Sequence, residues 1–439
     1  MAKRYALSIL TGLWVSVLTA SMTHAQEGAS VEELKRVIEQ QQEQLQKQQE
    51  VLESLMRQVE ALQKTTAAAE NIARGAETTA TAALEAATTP DANNLEDQPI
   101  VTSGSERVKL AISGQVNRMV NVADDGETTK VFHVDNDNSS TRIRFVGTGQ
   151  VSEDLTIGTN IEFEIESNSS SVVNQEDESS GTADFKDRVL EVAFDSRRLG
   201  ELKIGQGSTA SDGTAEVDLS GATVIAYSAV ADTAGGLFFR DKDGDLTNVR
   251  VRDVFSNFDG LGRQDRVRYD SPSFRGARLS ASVAEDDQWD IAGRWGGQAA
   301  GLRAGGALGV SGPARSSTKY RIDGSASVWH LGTGFNLTAS FGRDENRDDR
   351  DDATGYYVKG GWRGDLFELG ETAIVADFAW NQDVNANGDK AKSFGLYAVQ
   401  HMEEFGTELY AGVRNYDLDS EAVDTDAIWV GSAGSRIKF

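Results

Sequence analysis

Apolar and polar residues alternate along the chain from residue 108 to the C-terminus, in segments of about ten residues separated by clusters of Gly, Asp, Asn and Ser. Successive side chains of a strand point to opposite faces, so this alternation predicts β-strands with one apolar face. In the segment TRIRFVGTGQ, residues 141–150, Arg142 and Arg144 fall on one face and Ile143 and Phe145 on the other. The alternation alone does not tell which face lies inside.

The pattern predicts about sixteen antiparallel strands, an even number that fits a closed barrel with both ends on one side. Two weaker runs, GGLFFRD at 235–241 and TNVRVRDVF at 247–255, could raise the count to about eighteen. The predicted connections alternate between short turns and long acidic loops, such as 124–140, 167–184 and 343–355. This asymmetry is typical of outer-membrane proteins, so we predict an all-β transmembrane barrel.

A soluble β-sandwich would show the same alternation and is the alternative fold. The unequal connections argue against it, and so do aromatic residues placed near the ends of predicted strands. These residues are Trp289, Trp295, Trp329, Trp362 and Trp380.

The N-terminus has the three parts of a secretory signal peptide. Two basic residues precede an apolar run at 6–20, and a small-residue cleavage site ends at Ala25. The apolar run is too short to span a membrane. We therefore predict that residues 1–25 are a signal peptide and that the mature chain is exported.

Residues 26–66 carry a seven-residue repeat, with a narrow seam flanked by Glu, Gln, Lys and Arg. This pattern predicts an α-helical coiled coil ahead of the barrel. The seam positions are Val31, Leu34, Ile38, Gln41, Leu45, Gln48, Leu52, Leu55, Val59 and Leu62. Their composition does not distinguish a dimer from a trimer. Residues 67–107, rich in Ala and Thr, are predicted to be a fraying helix and a polar linker to the barrel at 108–439.

Composition excludes several classes of function. A formal net charge of -26 argues against nucleic-acid binding, because it repels phosphate backbones. The absence of cysteine excludes disulfides and thiolate metal sites. His133, His330 and His401 show no spacing with Ser and Asp that indicates a hydrolytic triad, so an outer-membrane enzyme is a less favoured alternative. The acidic loop 343–355 lacks the ligand spacing of a calcium loop, and we predict no metal site and no cofactor.

Two motifs resemble known outer-membrane barrels. The terminal SRIKF, ending at Phe439, resembles the signature by which Gram-negative barrels are recognised for assembly. The segment RQDRVRYDSPSFRGARLSAS resembles the Y-x-SP-x-F-x-G segment that follows the constriction loop of trimeric general porins. The matching residues are Tyr269, Ser271, Pro272, Phe274 and Gly276. Upstream, GELKIGQGSTASDGTAEVDLSG is similar to the porin strand that leads into that loop.

A coiled coil ahead of the barrel resembles the DcaP-type porins, which are trimers with a periplasmic helical bundle. The resemblance implies a homotrimer in the outer membrane, with the coil in the periplasm and a constriction loop near residues 208–263. This segment is longer than an ordinary constriction loop and contains the two weaker runs.

In a barrel surrounded by lipid, the apolar face must point outward, so Ile143 and Phe145 should face hydrocarbon and Arg142 and Arg144 the lumen. The same reasoning predicts a basic wall along the lumen. Its members are Arg142, Arg144, Arg266, Arg268, Arg278, Arg294, Arg303 and Arg321. Inward carboxylates are expected as well, at Glu162, Glu164, Asp290, Asp323 and Asp377. The arginines could therefore select anions, or they could be neutralised by salt bridges within the lumen.

The constriction loop carries acids that could face the basic wall, namely Asp212, Glu216 and Asp218. Opposed charges would set up a transverse field across the narrowest point. The alternative is an ordinary solvated acidic loop. Arg118 falls on the lipid face by strict alternation, which predicts a bulge, a place near the rim, or burial between subunits.

The sequence thus supports an outer-membrane porin for passive diffusion of small hydrophilic solutes, favouring anions such as small carboxylates. A non-selective or cation-preferring general porin is the alternative, and a structural trimer linking the outer membrane to the cell wall is less favoured. The expected partners are further copies of the chain, outer-membrane lipid and lipopolysaccharide, the barrel-assembly machinery and the diffusing solutes.

Overall fold

A computed structural model describes residues 100–102, 107–179, 184–313 and 317–439. The predicted signal peptide, the coiled coil and most of the linker lie outside the described residues. No helix in the described ranges is long and apolar enough to cross a membrane.

The described chain consists mainly of antiparallel strands. In chain order they are β1 Ile100–Thr102, β2 Val108–Asp124, β3 Thr129–Asp135, β4 Arg142–Gln150, β5 Leu155–Glu166, β6 Asp184–Ser196, β7 Gly200–Ser208, β8 Phe238–Arg240, β9 Leu246–Arg250, β10 Arg263–Asp270, β11 Ala277–Ala284, β12 Trp289–Ala299, β13 Leu302–Gly312, β14 Thr318–His330, β15 Phe335–Asn346, β16 Ala353–Phe367, β17 Gly370–Gln382, β18 Lys390–Met402, β19 Thr407–Asp419 and β20 Ile428–Lys438. Short helices lie at Asp137–Ser139, Val230–Thr233, Val251–Val254 and Glu403–Phe405.

The sheet closes on itself. Strand β20 pairs with β19 on one side and with β2 on the other, where the register runs from Gln115 opposite Lys438 to Asp124 opposite Trp429. Backbone bonds between Gly114 and Phe439 complete the seam. Closure removes the exposed edges that an open sheet could not keep in lipid.

The second strand of the barrel is interrupted. Strand β3 pairs with β2 over Arg118–Asp124, and β4 pairs with β2 over Val108–Gln115. Residues 136–141 leave the sheet between them. The sequence pattern predicted a long loop at 124–140, which is wrong, because a tight turn at 125–128 leads directly into β3.

With β3 and β4 taken as one strand, the barrel has sixteen strands, which confirms the predicted number. The short β1 pairs with β2 as an additional strand. The two weak runs do not join the barrel, because β8 and β9 form a separate two-stranded sheet between β7 and β10.

The outward face of the barrel is apolar. Along β18 exposure alternates residue by residue, so that Phe394 and Leu396 point outward while Ala391 and Tyr397 are buried inside. Large apolar side chains exposed around a whole barrel are expected for a surface that contacts lipid. The soluble β-sandwich is therefore wrong.

Short turns join the strands at the end of the barrel where the chain terminates, and the longer connections lie at the opposite end. Gly200 shows why such turns need specific residues. Its φ is 87°, and a Cβ atom there would lie 2.2 Å from the carbonyl oxygen of Asp270. Only glycine avoids both the backbone strain and this collision.

Residues 209–262, the constriction loop, fold into the lumen, and the main apolar core forms there. Loop side chains such as Ile225 and Phe239 pack with inward residues of β17–β20 and β2–β3, including Val399 and Tyr416. One side of the lumen is therefore filled by packed apolar groups instead of water.

Candidate functional site

The constriction loop is fixed to the barrel wall by inward polar side chains. The backbone N–H groups of Val217 and Leu219 donate to the hydroxyls of Ser325 and Ser327, at 2.8 and 2.9 Å. Small hydroxyls on adjacent inward positions of β14 therefore hold an extended segment of the loop.

Two predicted lumen acids also serve as anchors. The Asp290 carboxylate accepts from the backbone of Ser211 at 2.8 Å, and Asp323 accepts from the hydroxyl of Thr214. The third, Asp377, is fully buried and pairs with Arg414 at 2.6 Å. These carboxylates face inward as expected, but their partners are not the residues of the predicted basic wall.

Asp218 faces the wall as well. Its carboxylate pairs with Lys359 of β16, and both side chains are buried. Lys359 Nζ also donates to the carbonyl of Ala226 at 2.6 Å, so it joins two segments of the loop. Asp218 is therefore a buried structural anchor of the loop.

The remaining loop acids form a cluster with altered proton affinity. Asp259, which the sequence pattern did not single out, accepts from the backbone of Gly213 at 2.7 Å and of Ala215 at 2.9 Å. Burial and the nearby carboxylates of Asp212 and Asp323 raise the pKa of Asp259 to about 8. Burial and Asp259 together raise the pKa of Glu216 well above its ordinary value.

Asp212 behaves in the opposite way. Although burial acts to raise its pKa, nearby Arg263, Arg268 and Arg294 outweigh that effect and lower it. Nearby arginines therefore hold Asp212 in the charged form, whereas Asp218 pairs with a lysine.

On the wall formed by β4, β5 and β6, three arginines meet two glutamates. Arg144 Nε donates to Glu162 at 2.5 Å, and Arg142 lies 3.8 Å from the same carboxylate. Arg188 Nε donates to Glu162 at 2.8 Å, and its Nη1 donates to Glu164 at 2.9 Å. Among these five side chains, the positive charges outnumber the negative charges by one.

Arg188 is the residue that sequence reasoning missed here. Strict alternation with the outward Leu190 would place it on the lipid side. The pairing of β5 with β6 shifts at this point, with Glu162 opposite Val189 but Phe163 opposite Asp187. The extra residue of this β-bulge turns the Arg188 side chain inward.

Arg266, Arg268 and Arg321 also lie on the inner face, each paired with a carboxylate. Arg266 pairs with Glu191, and Arg268 lies 2.8 Å from Asp270. Arg321 pairs with the Asp344 carboxylate at 2.7 Å. Their positive charges are therefore balanced locally.

Arg278, Arg294 and Arg303 complete the predicted wall. Arg294 donates to the carbonyls of Ala210 and Asp212, both at 2.6 Å. Among the described residues, Arg278 Nε and Arg303 Nε are buried without a hydrogen-bond partner. The structure thus brings the predicted wall residues to one inner face, in part paired and in part in positive excess.

Arg118 remains on the outward face. Strand β2 keeps a regular register with β20 through this residue, so the predicted bulge in β2 is wrong. Arg118 Nη1 instead donates to the carbonyl of Ser167 at 2.9 Å and lies 3.4 Å from Asp135, beside the break between β3 and β4. The irregularity is in the neighbouring strand.

A sixteen-stranded barrel with an apolar exterior, a loop folded into the lumen and a charged inner wall defines an outer-membrane channel protein. The family model for the Gram-negative porin matches residues 75–421, and the chain belongs to this family. Membership indicates a channel located in the outer membrane, and not an enzyme. No curated protein matches the chain in sequence.

Solved structures share the fold at low sequence identity. The anion-selective porin from Comamonas acidovorans is 16% identical, with a TM-score of 0.53 over 76% of this chain and 100% of that chain. A Salmonella typhi OmpF complex with daunomycin is 12% identical, with a TM-score of 0.50 over 78% of this chain and 100% of that chain. The outer membrane channel DcaP of Acinetobacter baumannii is 10% identical, with a TM-score of 0.49 over 77% of this chain and 99% of that chain.

Proposed function

We propose that this porin admits small hydrophilic solutes by passive diffusion and favours anions, in particular small carboxylates. The observation that carries the proposal is the excess of guanidinium groups around Glu162 and Glu164, where three arginines meet two carboxylates. A fixed positive excess on the wall lowers the barrier for anions. Arginine is suited to carboxylates because its planar fork can bond both oxygens.

The loop acids support the same preference. A carboxyl group with a raised pKa carries less negative charge at neutral pH, and this applies to Glu216 and Asp259. The surface of the constriction loop is therefore less acidic than its composition suggests. One relative in structure is described as an anion-selective porin, which agrees with the proposal.

The direct test is the reversal potential of the purified protein in a planar bilayer under a salt gradient. We expect anion selectivity in the parent protein and a shift toward cations in Arg142→Gln/Arg144→Gln. Arg343→Gln is the matched control, because Arg343 is exposed outside the lumen and pairs with Asp352. Cation selectivity in the parent would retain the channel and refute the anion preference, in favour of the general-porin alternative.

We further propose a homotrimer whose coiled coil, residues 26–66, lies in the periplasm. The heptad seam supports association through this segment. A similar solved barrel, OmpT of Vibrio cholerae, is described in a trimer form. We propose outer-membrane lipid and lipopolysaccharide as the surroundings of the barrel. Recognition by the assembly machinery would use Phe439, whose side chain is exposed at the barrel seam.

A further inference from the structure

The break between β3 and β4 brings an acidic residue beside the C-terminal end of β5. Asp137 lies in the short helix of the break, and the N–H of Ile165 on β5 donates to the carbonyl of Thr141 at 2.9 Å. The chain after β5 then folds back on β3, where the N–H of Ser170 donates to the carbonyl of Asp135 at 3.0 Å. Asp137 is thereby held close to the inward side chains of β5.

Three carboxylates meet at this point. Asp137, Glu164 and Glu166 each present an oxygen, and these oxygens lie within 4.8 Å of one another. Glu166 is only 6% exposed, and its buried Oε1 has no hydrogen-bond partner among the described residues. A buried carboxylate oxygen without a partner is costly, so this oxygen points to a missing ligand.

We propose that Asp137, Glu164 and Glu166 form a calcium-binding site in the wall of the barrel. Calcium takes carboxylate oxygens at about 2.3–2.6 Å, so oxygens on opposite sides of the ion lie about 4.6–5.2 Å apart. Oxygens around one calcium ion can therefore be no more than about 5 Å apart, and the three carboxylate oxygens meet this limit. Magnesium fits less well, because it requires a tighter octahedron and keeps several of its waters.

The neighbouring cations do not neutralise the cluster. Arg188 donates to Glu164 Oε1 at 2.9 Å but divides its guanidinium between this residue and Glu162. Lys186 Nζ lies 3.7 Å from Glu166 Oε2, with its side chain 52% exposed. Each carboxylate has two oxygens, so these contacts are compatible with metal coordination.

A bound ion would connect the wall to the constriction loop. The break that holds Asp137 also carries Asn136, whose Nδ2 donates to the carbonyl of Val224 at 2.8 Å, and Asn138, whose Nδ2 lies 3.4 Å from the hydroxyl of Thr233. Calcium would fasten this segment to β5 and so stabilise the position of the loop. The site shares Glu164 with the arginine cluster, and calcium uptake tests it by a measurement separate from the reversal potential.

The test is calorimetric titration of CaCl2 into the full chain refolded in detergent without lipopolysaccharide, which itself binds calcium. We expect one calcium ion per chain. Glu166→Gln and Asp137→Asn should each weaken binding at least tenfold. Asp195→Asn is the matched control, because it removes an inward carboxylate of β6 outside the site and should leave binding unchanged.

Strand content and the heat-dependent shift in gel migration show whether each variant has formed the barrel. If Glu166→Gln does not refold, Asp137→Asn decides the question. Asp137 lies in the break between β3 and β4, so this substitution changes no residue of a barrel strand. The proposal is overturned if the parent protein takes up no calcium, or if the refolded variants bind calcium as tightly as the control.

Discussion

Replacing Lys359 by methionine should release the constriction loop. The substitution leaves Asp218 buried without its counter-ion and also removes the bond to the Ala226 carbonyl. Removing one member of a buried ion pair costs about 3–5 kcal/mol, because the remaining charge stays desolvated. At about 1.4 kcal/mol per factor of ten, the lower value shifts the loop-docking equilibrium about a hundredfold.

The assay is single-channel conductance in planar bilayers, together with the temperature at which the barrel loses its compact gel migration. We expect noisier and larger conductance steps in Lys359→Met, because a loop that leaves the wall widens and narrows the channel. Lys319→Met is the control, since Lys319 forms a solvent-exposed pair with Glu345 and the surrounding water screens such a pair.

A double variant separates charge burial from loss of packing. Lys359→Met/Asp218→Leu removes both charges, so much of the lost stability should return, as is found when buried pairs are replaced by apolar residues. Unchanged conductance and heat stability in Lys359→Met would refute the conclusion that this pair holds the loop.

Three further predictions concern the coil, the loop acids and a turn. Deleting residues 31–62 should weaken trimer persistence in mild detergent and leave barrel strand content intact; loss of the barrel would contradict the two-unit interpretation. Anion preference should fall as pH rises through about 8, because Asp259 then loses its proton and adds negative charge, and Asp259→Asn should remove this step in the reversal potential. The folded protein holds the Asp259 proton more tightly than the unfolded chain does. The free energy of unfolding should therefore decrease as the pH rises from the ordinary carboxyl pKa to about 8. Gly200→Ala should cost about 1–2 kcal/mol through its left-handed backbone alone, measured as a lower unfolding temperature; an unchanged temperature would mean that the turn adapts.

The alternation of side chains was sufficient to predict the barrel and its number of strands. It also placed Arg142 and Arg144 on the inner face, where both contact Glu162. Strand pairing repeats every two residues, so any regular strand in lipid reveals its two faces in the sequence. The coiled coil stays a prediction, because residues 26–66 lie outside the described part of the chain.

Prediction from the sequence failed where the two-residue alternation of side chains is interrupted or absent. Arg188 is turned inward by a β-bulge that no composition signal marks. Asp259 lies in a loop without periodicity, and its role depends on backbone groups of Gly213 and Ala215, which are distant in sequence. The pairing of Asp218 with Lys359 likewise joins residues far apart along the chain, and only the folded loop brings them together.

Two irregularities of the wall, the bulge in β6 and the break between β3 and β4, lie next to each other, and this placement has a functional consequence. The bulge at Arg188 and the break at Asp137 both direct a charged side chain toward Glu164. A regular strand would point every second residue outward and would space inward charges evenly along the wall. By departing from that spacing, the wall brings the arginines around Glu162 and the acidic cluster together at Glu164. While the proposed calcium site is empty, positive and negative groups lie within a short distance of each other, so selection there would depend on the shape of the solute's charge as well as on its sign.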